Sequence, residues 1–187
     1  DGPANGNIRW KIPVPAPGYN SPVIWGNNLY LTGGTSEKQM VYCYNALNGE
    51  LKWEFTVPDL PSAGGELMEP TEDTGYAAPT VATNGNSVAA IFATGDVVCL
   101  DNQGTQRWAK NLGIPENHYG HSSSLLIWQD LLLIQFDDNR TGKVLALNMN
   151  TGEEMWTTIR DSKISWASPI LIEVNGHHEL ILASSPE

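Results

Sequence analysis

Basic residues are scarce in this sequence: 10 Lys and Arg stand against 21 Asp and Glu in 187 residues, a formal net charge of -11. No stretch gathers cations into the patch that phosphates demand, which removes nucleic acid from the partners to consider. Long apolar runs are missing too. None approaches the roughly 20 residues that cross a bilayer, so no transmembrane segment is expected. The opening residues, Asp1-Gly2-Pro3-Ala4-Asn5-Gly6, carry neither the basic nor the apolar region of a signal peptide. A mature secreted protein has shed its signal and a fragment never held one, so this does not argue for the cytoplasm. Cysteine occurs twice, at Cys43 and Cys99, without the paired spacing of a metal or redox motif. Apolar spacing at i, i+3, i+4 and i+7 is absent over the length a packed helix needs, so helix should be negligible.

What the chain has is glycine and proline, 18 and 12 residues, with 41% hydrophobic and 17% charged residues. That balance suits short strands joined by tight turns. A Gly stands four residues before a Trp on four occasions: Gly6/Trp10, Gly49/Trp53, Gly104/Trp108 and Gly152/Trp156. Successive Trp residues are 43, 55 and 48 positions apart, close to the length of a four-stranded propeller blade. Each interval runs in the same order. A small-residue and Pro signal (Pro22, Pro79, Pro169, with Ser123-Ser124 as the variant without Pro) opens strand one. An Asn- or Gly-bearing turn leads to strand two (29–32, 88–93, 131–136, 180–183), strand three follows (41–45, 97–101, 144–148), and the fourth carries the Trp.

The chain therefore reads as all-β, a run of four-stranded antiparallel propeller blades. The last strand of one blade falls in 1–17, full blades in 18–57, 75–112 and 120–160, and the first two strands of another in 164–187. A long acidic connection occupies 58–74, with Asp59, Glu66, Glu69, Glu72 and Asp73. Its carboxylates lack the fixed spacing of a cation loop, so it is expected to be solvated, and no metal site is expected. Gly49, Gly104 and Gly152 let the backbone reverse at positive φ. Trp10, Trp53, Trp108 and Trp156 are expected to lie flat between blades, each indole N–H on a neighbouring backbone group. Cys43 and Cys99 occupy one slot of adjacent repeats, too far apart for a disulfide, so both should be free and buried.

Ala146-Leu147-Asn148-Met149-Asn150-Thr151-Gly152-Glu153-Glu154-Met155-Trp156 resembles the tryptophan-docking motif of pyrroloquinoline-quinone (PQQ) repeat propellers, AxDxxTGxxxW, with Asn148 in place of Asp. Cys43 to Trp53 is similar with Cys for Ala, and Cys99 to Trp108 is one residue shorter. The resemblance implies a bacterial PQQ-like, quinoprotein-type propeller, extracytoplasmic or periplasmic, with seven or eight blades when complete. This chain would then hold about half, its remaining blades lying elsewhere in the same protein or in a second copy.

In a propeller the loop entering the innermost strand and the loop joining strands two and three share a face. That places Tyr19, Tyr76, His118, His121, Asp137, Asp138 and Trp166 as candidate ligand-binding residues at the channel mouth. Tyr19, Tyr76 and Trp166 each stand three residues before a strand-opening Pro. His118 and His121 have no helix to pair them as metal ligands, and Ser122 to Ser124 beside His121 lack the GxSxG turn of a hydrolase. No catalytic residue is assigned. The leading expectation is a non-catalytic scaffold that presents its loop face to a protein or ligand in the cell envelope and needs no cofactor. The alternative is a PQQ-dependent dehydrogenase. For that reading the resemblance implies a quinone over the channel, between a Trp and an adjacent Cys-Cys disulfide, with Ca²⁺ on acidic and amide side chains. Cys43 and Cys99 do not supply that disulfide.

Overall fold

The computed structural model describes residues 6–64 and 69–184, and among them no residue is helical. Asp1 to Asn5 and Glu66 of the acidic connection lie outside the described residues. Three antiparallel sheets of four strands follow one another. The first holds β1 (Val23–Trp25), β2 (Asn28–Gly34), β3 (Gln39–Asn45) and β4 (Leu51–Thr56). The second holds β5 (Ala82–Thr83), β6 (Ser87–Ile91), β7 (Asp96–Asp101) and β8 (Gln106–Asn111). The third holds β9 (Leu126–Trp128), β10 (Leu131–Asp137), β11 (Gly142–Asn148) and β12 (Glu154–Arg160), and the hairpin β13 (Ile170–Val174) and β14 (His177–Ile181) opens a fourth. Strand order within each sheet is sequence order, and β1 touches β5 as β5 touches β9. This is propeller geometry, with first strands innermost.

Both faces of a middle strand are covered, so buried residues run consecutively, as in Ser87–Ile91 and Leu132–Asp137. One apolar cluster joins Tyr30, Val41 and Cys43 of the first sheet to Val88, Val98 and Leu100 of the second. Another joins Ile91, Val97 and Cys99 to Leu132, Ile134 and Leu145 of the third. The core is thus a series of interblade seams.

The seams are pinned as the Gly-to-Trp spacing anticipates, but by a longer-range pairing. Gly49, Gly104 and Gly152 have φ of 76°, 85° and 71°. A Cβ on them would come 2.6, 2.7 and 2.6 Å from the indoles of Trp10, Trp53 and Trp108. Each ring therefore lies on the glycine turn of the following blade. Trp10, Trp53 and Trp108 donate through Nε1 to the carbonyls of Ala46, Asn102 and Met149 at 3.1, 3.2 and 3.0 Å. Trp156 differs from expectation: it is 39% exposed, because the described part of the fourth sheet ends before the turn on which it would dock. A β-bulge recurs beside each clamp. Cys43 pairs Trp53 while Tyr44 pairs Leu51, Cys99 pairs Trp108 while Leu100 pairs Gln106, and Ala146 pairs Trp156 while Leu147 pairs Glu154. The extra residue in each case, Lys52, Arg107 or Met155, bends the fourth strand just before the ring.

Three boundaries differ from the sequence reading. Residues 6–17 form no strand, having no ladder partner here; Trp10, Ile12 and Ala16 instead pack against Tyr42 and Tyr44. The last strand is His177–Ile181 rather than 180–183, set by the positive-φ turn Asn175-Gly176. The long connection is not simply solvated. Gly64 accepts from the Ile114 amide at 2.9 Å, the Ala63 amide donates to Asn111 Oδ1 at 3.0 Å, and the Thr71 amide donates to the His118 carbonyl at 3.3 Å. These bonds lay it over the connection one blade further on, while Asp59, Glu69, Glu72 and Asp73 stay exposed.

Candidate functional site

The turns after β2, β6 and β10 and the connections between sheets meet on one face. The Gly34 and Ala93 amides donate to Pro17 and Tyr76, and the Asn139 amide donates to Glu116. Beneath this face runs a repeated link that the sequence reading missed. The Ser21 amide donates to Thr80 Oγ1 (3.1 Å), the Thr80 amide to Ser124 Oγ (3.1 Å), and the Ser124 amide to Ser168 Oγ (2.9 Å). These four hydroxyl residues occupy one slot of successive blades. The even 44-residue spacing from Thr80 to Ser124 to Ser168 was the available signal.

That slot fixes the true register of the mouth residues. Tyr19 and Trp166 are equivalent, each two residues before the hydroxyl, whereas Tyr76 precedes Thr80 by four. Pro79 therefore does not correspond to Pro22 and Pro169, and the three aromatics do not repeat by blade. Tyr19 is 61% exposed, and its amide donates to the Ala77 carbonyl at 3.0 Å. Trp166 is 39% exposed and meets Tyr119 edge-on, with centroids 4.9 Å apart, and His118 at 6.0 Å. His118 and Tyr119 lie 4.0 Å apart. The result is a three-ring cluster spanning two connections, in which Tyr119 takes a place the sequence reading did not give it. Tyr76 is half-buried, and burial, with Glu69 second, pushes its phenol pKa up.

The other candidates do not face the mouth as free groups. His121 is buried, stacked on Phe136 at 5.2 Å, with Nε2 2.9 Å from the Ser123 carbonyl. Desolvation lowers its pKa to about 4 against the partial opposition of that bond, so it is a neutral core residue. Asp137 is buried in a pair with Arg160 and accepts from Gln135 Nε2 at 2.7 Å. Asp138 is buried too. Its carboxylate accepts from the amides of Arg140 and Thr141, both at 2.8 Å, and from Arg140 Nη2 at 3.1 Å, closing the β10–β11 turn. Burial works to raise its pKa, but these bonds prevail and hold it below the ordinary carboxylate range. Both cysteines are free, and burial pushes each thiol up to about 11. Among the described residues no His, Cys, Asp or Glu cluster fit for a metal is present, and no helix is long and apolar enough to cross a membrane.

Several solved structures share this fold. BamB from Moraxella catarrhalis superposes with a TM-score of 0.58 at 14% identity, covering 86% of this chain and 45% of that one. The quinohemoprotein alcohol dehydrogenase ADHIIG from Pseudomonas putida HK5 gives 0.58 at 19% identity, covering 80% and 22%. A europium-containing methanol dehydrogenase gives 0.54 at 19% identity, covering 74% and 24%. The chain thus spans less than half the length of each of these three. At such identities the likeness is one of fold. No curated protein sequence matches the chain. The family described as outer membrane protein assembly factor BamB matches residues 2–163, most of the chain, and to that family of PQQ-like β-propellers the chain belongs.

Proposed function

We propose that this chain is part of a non-catalytic propeller, located outside the cytoplasm in the bacterial cell envelope, whose loop face binds another protein. The observation that carries this reading is the division of the mouth residues into two kinds. Those with chemistry to offer are committed to structure: His121 to Phe136, Asp137 to Arg160, Asp138 to the Arg140 turn. Those left at the surface, Tyr19 and Trp166 with its ring partners, are aromatics of the kind that anchor protein interfaces. The family description points the same way.

A quinone held with Ca²⁺ fits these residues poorly. The two buried acids are already saturated by donors of this chain, and Cys43 and Cys99 sit in different sheets, each thiol donating to a backbone carbonyl. The test is capture from an envelope extract with the full-length protein as bait. Wild type should retain a specific partner that Trp166→Ala and Tyr19→Ala lose. Nothing specific retained, or a stoichiometric quinone absorbance after soaking with PQQ and Ca²⁺, would turn the reading towards the dehydrogenases.

A further inference from the structure

Between the first two sheets, on the loop face, lies a cleft of about 200 Å³ that neither the family nor the mouth residues account for. Both of its sheets are complete, so it is not an edge of the described chain. Glu37 and Gln39 line it from the first sheet, Asp59 and Tyr76 from the connection, and Thr94 and Asp96 from the second sheet.

Its hydrogen bonds run one way. Asn111 Nδ2 donates to Asp96 Oδ1 at 2.8 Å, and Thr94 Oγ1 donates to Asp96 Oδ2 at 2.5 Å. The Thr94 proton being engaged, its oxygen is left to accept, and it does so from Gln39 Nε2 at 2.6 Å. This relay fixes the Gln39 amide, with its nitrogen on Thr94 and Oε1 turned elsewhere. Oε1 is buried with no donor, and a buried acceptor without a partner is unfavourable. Three carboxylates, Glu37, Asp59 and Asp96, surround the cleft against the single cation Lys38. The cleft is thus rich in acceptors and negative potential and short of donors. Its volume is below the roughly 300–1,000 Å³ of ordinary small-ligand pockets and suits one side chain.

We infer that this cleft receives a guanidinium or ammonium group, carried by a basic side chain of the protein partner. The cleft's selectivity stands on its own geometry, and the assignment of the cation to a partner rests on the protein-binding reading above.

Agmatine is the probe, titrated into the full-length protein by calorimetry, with N-butylacetamide as the neutral control. Agmatine should bind and the amide should not. Glu37→Gln and Asp59→Asn, both at exposed positions, should each weaken agmatine about threefold, as partly screened ion pairs do. Gln39→Met, which keeps the length but removes the acceptor, should weaken it further. Equal binding of agmatine and the amide, or indifference to Glu37→Gln and Asp59→Asn, overturns the inference whether or not a partner is captured. Release of a captured partner by agmatine supports the partner as source. Agmatine binding without such release keeps the cation site and overturns that source.

Discussion

The indole of Trp53 lies on Gly104, 51 residues further along the chain, and not on Gly49, the glycine four residues before it. Gly104 has two separate reasons to be glycine: a φ of 85° and an aromatic ring where its Cβ would stand. Gly26 has only the first, since at φ 58° nothing lies within 4 Å of its Cβ position. Gly26→Ala should therefore cost about 1 kcal/mol for the left-handed backbone alone. Gly104→Ala should cost about 3 kcal/mol or more, because the clamp is displaced as well. Urea unfolding of the two variants measures the difference.

The hydroxyl link between first strands gives a local prediction. Ser124→Ala removes the acceptor from the Thr80 amide and should cost about 1 kcal/mol. Hydrogen exchange at Thr80 should accelerate while that of Trp108, on another seam, stays unchanged.

His121 makes stability depend on pH. Its folded pKa of about 4 lies below the ordinary 6.5, so between those values the unfolded chain takes up a proton that the folded chain refuses. The contribution is whole above 6.5 and is lost progressively as pH falls towards 4, by about 3 kcal/mol at most. Urea midpoints at pH 7, 5.5 and 4.5 should fall in that order, and His121→Phe should flatten the trend.

Cys43 and Cys99 are buried and their thiols are pushed up to about 11. Both should stay unmodified by a thiol reagent at pH 8 in the folded protein and react on addition of denaturant. Fast labelling of either in native buffer would contradict the seams in which they lie.

The clamp was legible in the sequence because a fixed Gly-to-Trp spacing is a local quantity repeated in the chain. Which glycine each ring rests on was not, since that contact closes only when two blades stack. The bulges at Lys52, Arg107 and Met155 were hidden for a related reason: the extra residue shows only against its partner strand. At the mouth, Pro79 misled the register, because the hydroxyls of Ser21, Thr80, Ser124 and Ser168, and not the prolines, align the first strands. His121, Asp137 and Asp138 looked available because sequence gives residue type without burial. Phe136, Arg160 and the Arg140 turn, which engage them, are fixed by tertiary pairing.

Exchange of the indole Nε1 protons, followed by NMR in the 187-residue chain, tests the interblade clamp most directly. Trp10, Trp53 and Trp108 should be strongly protected, and the exposed Trp25 and Trp166 should exchange rapidly. Equal, fast exchange at all five rings would mean that the blades are not stacked through their tryptophans.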